Sequence, residues 1–187
     1  MISPNERKLL EKARDFDPDS LGLIYDSYSP GLFRYALRLL EDNNMAEECV
    51  ADTFSRFLNA LRMRHGPDNH LQAYLYRIAH NWITDSYRRQ PPIMVELDES
   101  YPINELEKPE NRLTKEIEKQ EIQNALRVLT IDQRQVIILR FIEGWSNEEV
   151  ALAIQKPVGA VKALQHRALE TLRKVLCPDE KVSLNGS

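Results

Sequence analysis

Residues 132–175 read DQRQVIILRFIEGWSNEEVALAIQKPVGAVKALQHRALETLRKV, and the spacing of their apolar side chains decides how this chain folds. Asp132 is placed to cap a helix carrying Val136, Ile137, Leu139, Arg140, Phe141 and Ile142, which stops at Gly144. Ser146-Asn147-Glu148-Glu149 has the form of a capping box, in which the serine hydroxyl and the Glu149 carboxylate satisfy each other's orphan amides. A short helix follows, with Val150, Ala151 and Ile154 on its apolar side, and Gln155-Lys156-Pro157-Val158-Gly159 forces a turn. The next helix sets Val161, Leu164, Ala168, Leu172 and Val175 on one stripe, and Lys162, Ala163, His166, Arg167, Glu170 and Arg173 on the other face.

A short helix, a tight turn and a basic-faced second helix form the geometry that lays side chains into a DNA major groove. Lys162, His166 and Arg167, in the first half of the second helix, would reach phosphates and base edges. A plain three-helix bundle with a soluble basic face gives the same pattern.

Upstream, helical periodicity continues with no strict alternation to argue for strands. Leu71, Tyr74, Leu75, Ile78, Ala79, Trp82 and Ile83 define one amphipathic helix, whose other face holds Arg77, His80, Asn81, Asp85, Arg88 and Arg89. Aromatic, basic and amide side chains together suit a single-stranded base, which must be stacked and read along its edge. Trp82 reads as core; Tyr74, at the helix start, suits either the core or a base, and spacing does not choose. Leu32, Tyr35, Ala36, Leu39 and Leu40 mark a second helix, and Ala46, Val50, Phe54, Phe57, Leu58 and Leu61 a third. His65-Gly66-Pro67-Asp68-Asn69-His70 is a polar loop with turn chemistry.

The fold class is therefore all-α: two small helical domains joined by a flexible acidic linker. Residues 1–89 form the first domain, 90–112 the linker, 113–177 the second domain and 178–187 a disordered tail. The linker assignment rests on Pro91, Pro92, Pro102 and Pro109 among six acids and one lysine.

Composition narrows the function. The 187 residues include 25 basic and 29 acidic side chains, a net charge of −4. Between Lys156 and Lys174, however, five basic residues stand against one acid, and between Glu41 and Asp52 five acids stand against no base. Such segregation allows a local meeting with phosphate without general affinity for polyanions. The apolar run Val136–Leu139 is far too short to span a bilayer, and the opening residues carry no apolar signal core, so a cytoplasmic protein without membrane insertion is expected. Cys49 and Cys177 lie far apart and form no CxxC pair, and His65, His70 and His80 read as scattered surface histidines; no metal site and no cofactor is expected. Glu47, Glu48 and Asp52 lack a basic or metal partner at fixed spacing, so no catalytic residue is assigned and the chain is not expected to be an enzyme.

Taken together, the two blocks resemble the bacterial sigma-70 family of RNA polymerase sigma factors. Ile24-Tyr25-Asp26-Ser27-Tyr28 through Phe33-Arg34-Tyr35-Ala36, with Ala46–Phe54, is similar to conserved region 2. Tyr74–Asn81 with Asp85 and Arg88-Arg89 resembles the promoter-melting part of that region. Gln133–Val136, Leu139–Phe141, Glu143–Ser146, Glu149–Ala151 and Val158–Lys162 resemble region 4. The lack of other regions points to the extracytoplasmic-function subgroup. The sequence departs from the family's habits at Ala51, where glutamine is frequent, at Thr130-Ile131, where Leu-Pro is frequent, and at Ala160 and Ala163, where hydroxyls are frequent.

The resemblance implies a sigma factor for promoter-specific initiation in a stress or envelope response. Asp52, Thr53, Phe54 and Arg56 would dock on the clamp helices of the polymerase's largest subunit, and the second domain on its flap. The Gly66–His70 loop with Tyr74, Arg77 and Asn81 would capture a flipped minus-ten base, while Arg88 and Arg89 hold phosphates. Lys162, Ala163, His166 and Arg167 would read the minus-thirty-five element, and an anti-sigma factor would be a further partner. The alternative from the residues alone is a free-standing helix-turn-helix repressor, which leaves the 71–89 helix without a purpose.

Overall fold

The structure is a computed structural model that describes residues 4–89 and 122–176, and in these the regular secondary structure is entirely helical. The expected linker, the residues of the second domain before Ile122 and the expected tail lie outside the described residues.

Helix α1 (Pro4–Arg14) buries Leu10 and Ala13. Helix α2 (Pro18–Leu40) opens on Asp17, whose carboxylate accepts from the Ser20 amide at 2.9 Å and the Ser20 hydroxyl at 2.5 Å. These bonds to the charged form hold the Asp17 carboxyl below its ordinary range. Glu41 ends α2 in the left-handed region at φ 58°. One residue later Asp42 caps α3 (Asn43–Arg62) by accepting from the Met45 amide at 2.7 Å. Helix α3 buries Ala46, Cys49, Val50, Thr53, Phe54, Phe57 and Leu61, a stripe at spacings of three and four. Helix α4 (Leu71–Arg89) returns across this layer and buries Leu71, Leu75, Ala79 and Ile83.

Residues 122–127 are helical and lead into α5 (Ile131–Ile137). The cap of α5 is Thr130 rather than the expected Asp132. Thr130 accepts from the Gln133 amide at 3.4 Å, while the Gln133 side chain accepts from the Thr130 amide at 3.0 Å. A capping box needs its hydroxyl and amide partner three residues apart, which places the cap at Thr130 and moves Asp132 into the first turn, where the helix dipole favours an acid. The helix then widens into a π-turn over Ile138–Ile142, with the Glu143 amide donating to the Ile138 carbonyl at 3.0 Å. This turn leaves Phe141 and Ile142 exposed and buries Ile138 and Leu139. Gly144, at φ 74°, takes the left-handed conformation that reverses the chain.

Helix α6 (Asn147–Ile154) begins with the expected capping box: Ser146 Oγ accepts from the Glu149 amide at 3.1 Å and Glu149 Oε2 from the Ser146 amide at 2.7 Å. Gln155, at φ 53°, closes it, and α7 (Val158–Leu176) follows with Val161, Leu164 and Ala168 buried. The two expected domains share one apolar core. Leu32, Tyr35, Leu75, Tyr76 and Ala79 of the first block are continuous with Ile138, Leu139, Trp145, Val150 and Ile154 of the second.

Candidate nucleic-acid interface

Helix α4 divides its circumference among three uses. Leu71, Leu75, Ala79 and Ile83 face the core of the first block. A second stripe, Ala73, Tyr76 and His80, is also buried, with Thr84 and Tyr87 continuing it half-buried. The remaining face is open. Asn81, Arg88 and Arg89 are exposed, and Tyr74 and Arg77 are half-buried. The Arg77 guanidinium lies 4.7 Å from the centre of the Tyr74 ring, and Tyr74 meets Phe57 edge-on at 6.2 Å between centroids. The structure thus gives Tyr74 a core contact through Phe57, while its face backs the Arg77 cation. Arg88 is drawn toward Asp85 at 3.6 Å. Trp82 is half-buried against the core, as expected.

On α7, Lys162, Ala163, His166 and Arg167 are all exposed and project from successive turns of one face. Arg167 Nε donates to the Ala163 carbonyl one turn back at 3.3 Å. The turn between α6 and α7 is held by a Lys156–Asp132 pair at 3.2 Å.

The four α3 residues expected to meet a partner do not share a face. The Thr53 hydroxyl donates to the Cys49 carbonyl at 2.7 Å and Thr53 is fully buried, while Phe54 is buried with its ring 4.8 Å from that of Tyr25. Asp52 and Arg56 do point outward and pair at 2.6 Å.

The second stripe of α4 is where the blocks meet, and this junction has no counterpart in the sequence reading. Tyr76 lies 4.7 Å from Trp145 and 5.2 Å from Tyr35 between ring centroids. Arg38 donates to Glu143 at 2.7 Å. Arg127 pairs with both oxygens of Glu41, and the buried Arg134 donates to the Leu126 carbonyl at 3.0 Å and the Tyr87 hydroxyl at 3.3 Å. Gln135 reaches Thr84 at 3.5 Å. His80 is buried here rather than on the surface; burial holds its pKa below the ordinary 6.5, against the opposing pull of Asp132. Burial likewise raises the pKa of Tyr76. The recurrence of Ala73, Tyr76, His80 and Tyr87 at helical spacing was the available signal, masked because each of these residues is also common on surfaces.

Among the described residues, no group of three His, Cys, Asp or Glu side chains converges to hold a metal ion, and no helix is long and apolar enough to cross a membrane.

Two family descriptions match the chain, one in each block. The family description Sigma-70 region 2 matches residues 24–91, and Sigma-70, region 4 matches residues 119–172. The chain is 32% identical over 162 residues to the ECF RNA polymerase sigma factor SigX of Bacillus subtilis, covering 83% of each. It is 31% identical over 175 residues to the ECF RNA polymerase sigma factor BldN of Streptomyces coelicolor, covering 92% of this chain and 66% of BldN. The RNA polymerase sigma-H factor of Pseudomonas aeruginosa is 26% identical over 188 residues, covering 95% of this chain and 97% of that protein. Among solved structures, CnrH in complex with the cytosolic domain of CnrY superposes with a TM-score of 0.70 at 24% identity, over 92% of this chain and 97% of that one. The sigma factor RpoE of Bartonella quintana, in complex with the anti-sigma factor NepR, gives 0.63 at 24%, over 89% and 99%. These structural likenesses concern the fold.

Proposed function

This chain belongs to the sigma-70 family of RNA polymerase sigma factors, in its extracytoplasmic-function subgroup, and from that premise we propose how its residues divide the work of promoter recognition. As a sigma factor it binds core RNA polymerase and directs it to promoters for transcription initiation; the repressor alternative has no support among the relatives. Catalysis in that reaction belongs to the polymerase, and this chain works by binding.

The observation that carries the assignment is the open face of α4. It presents Tyr74, Arg77, Asn81, Arg88 and Arg89 together while the other two faces are packed. A base leaving the duplex forfeits a few kcal/mol of stacking and pairing. Stacking on a protein plane returns about 1–3 kcal/mol. The Arg77 guanidinium, backed by the Tyr74 ring, offers that plane. The Asn81 amide reads the base edge, and the 63–70 loop walls the site. Arg88 and Arg89 hold adjacent phosphates. On α7, Lys162, His166 and Arg167 enter the duplex major groove at the minus-thirty-five element, with the Ala163 methyl against a thymine methyl. Asp52 and Arg56 form the polar contact with the polymerase clamp helices, while Thr53 and Phe54 fix the pitch of α3 beneath them; the second domain meets the flap.

The protein acts in the cytoplasm, in a stress or envelope response. Because both reading faces stand on one packed body, a single anti-sigma partner can cover both. Two proteins of similar fold support such a partner: RpoE of Bartonella quintana forms a complex with the anti-sigma factor NepR, and CnrH with the cytosolic domain of CnrY.

Run-off transcription with bacterial core polymerase on a genomic fragment library tests the assignment. Transcripts that share two upstream elements and need this chain are expected. If none forms while the chain alone binds duplex DNA tightly, the division of labour proposed here is wrong.

A further inference from the structure

The loop proposed to wall the captured base is held in shape from a distance. Between α3 and α4, Arg64 and His70 take left-handed backbone conformations at φ 56° and 52°. Non-glycine residues keep such conformations only where their surroundings over-determine them. Gly66 passes so near α3 that an added Cβ would sit 2.7 Å from Leu61 Cδ2, and Pro67 is buried.

Two side chains of α1 complete the constraint. Glu6 Oε1 accepts from the Leu71 amide, the first helical N–H of α4, at 2.7 Å. It thereby supplies from 65 residues away the capping oxygen that a neighbour ordinarily provides. Arg14 Nη2 donates to the Pro67 carbonyl at 3.0 Å and also meets Asp68 Oδ1. The Arg14–Asp68 pair counts for little alone, since the Asp68 side chain is 87% exposed. The two bonds to loop backbone fix the geometry. Glu6 and Arg14 flank Leu10 and Ala13 on one stripe of α1, and these two apolar residues are 1% and 0% exposed. The helix is docked by its apolar pair, and the charged pair is left to act on the loop. Helix α1 lies outside the residues matched as region 2, so that likeness does not account for it.

We propose that α1 is a strut for the capture loop, with Glu6 and Arg14 as positioning residues that hold residues 63–70 and the start of α4 in the shape that receives the extruded base. The proposal rests on the base-capture reading of that loop. A preset loop does not have to be ordered when the base arrives, and that saving appears as affinity for the open strand.

The test uses the full chain with core polymerase and a promoter fragment recovered from the run-off library. 2-Aminopurine replaces the minus-ten base whose fluorescence rises on opening. Glu6→Ala with Arg14→Ala is expected to lower the equilibrium for base capture about tenfold, the scale of one charge-assisted hydrogen bond. Affinity for core polymerase should remain as in wild type, and the circular-dichroism melt should fall by no more than the few degrees that loss of one helix cap costs. Glu6→Gln, whose amide oxygen still accepts from the Leu71 amide, should restore most of the Glu6 share. Arg7→Ala, which breaks only the solvent-facing Arg7–Glu11 pair at 3.4 Å, should leave capture unchanged. If the wild type brightens and the double variant brightens equally, the strut is refuted while base capture stands. If core affinity falls in parallel with capture, or Glu6→Gln is as poor as Glu6→Ala, the two residues are merely structural and the proposal fails. A wild type that transcribes but never brightens removes base capture by this loop, and the strut with it.

Discussion

His80 and Asn81 are neighbours in sequence with opposite fates. The His80 ring is buried at the junction with a pKa below the ordinary 6.5, faced by Asp132, Lys156 and Gln135. Burial favours the neutral ring, so unfolding or opening takes up a proton. The stability this gives is complete above about pH 6.5 and is lost as pH falls through the lower folded value. Thermal melts of wild type should therefore lose ground between neutral pH and about pH 5 relative to His80→Gln, which has no proton to take; parallel profiles would assign the acid sensitivity elsewhere. Asn81, one position on, is exposed on the open face. Asn81→Ala should abolish the permanganate-reactive bubble while core affinity stays unchanged, and an intact bubble would take the residue out of base reading.

At the level of elements, caps and stripes carry the fold. Ser146→Ala removes one half of the α6 capping box and should cost about 1 kcal/mol in urea unfolding. It should also weaken binding to minus-thirty-five duplex, because α6 packs against α7, the helix proposed to enter the groove. Much of this was readable in sequence: the Ser146–Glu149 box, the Gly144 stop and most of the stripes of α3, α4 and α7 follow from spacing, while Leu58 and Val175, placed on those stripes, are exposed. The Thr130–Gln133 box was missed because Asp132 is also a good capping residue and one position decides between them. Phe54 stood on the apolar stripe by its spacing, as the structure has it, and only the resemblance turned it toward a partner; the fate of Thr53 was missed for another reason. A polar residue on an amphipathic helix is assigned to the surface by its company, whereas Thr53 satisfies its hydroxyl on its own helix and needs no water. The second stripe of α4 escaped because Tyr76, His80 and Tyr87 have amphipathic side chains that serve equally well in water or against another domain. The Glu6–Leu71 bond has no periodic signature at all.

For the whole molecule the shared core sets a geometric condition. A chain of this length packed as one body is roughly 40 Å across. Elements named for positions about 25 base pairs apart lie roughly 85 Å apart on duplex DNA, at about 3.4 Å per pair. Under the division of labour proposed above, both faces cannot be engaged from the packed form, and promoter binding would require the junction to open. Residues 90–121, fully extended, could reach about 100 Å, which is sufficient chain. Dyes on cysteines at the exposed positions 62 and 170, with Cys177→Ser, should move apart when core polymerase and promoter DNA are added. Cys49 will not compete for the label, because burial pushes its thiol up to about 12. An unchanged distance in the transcribing complex would mean that the packed body itself is active.

On that proposed reading, the Tyr76–Trp145 and Arg38–Glu143 contacts would act as a gain control on the whole regulon. Apparent affinity for every promoter is divided by the same factor, set by the fraction of molecules already open. A substitution on the α7 face proposed to read duplex would then change which genes respond. A substitution at the junction shifts the factor concentration at which all of them respond, and leaves their ranking intact.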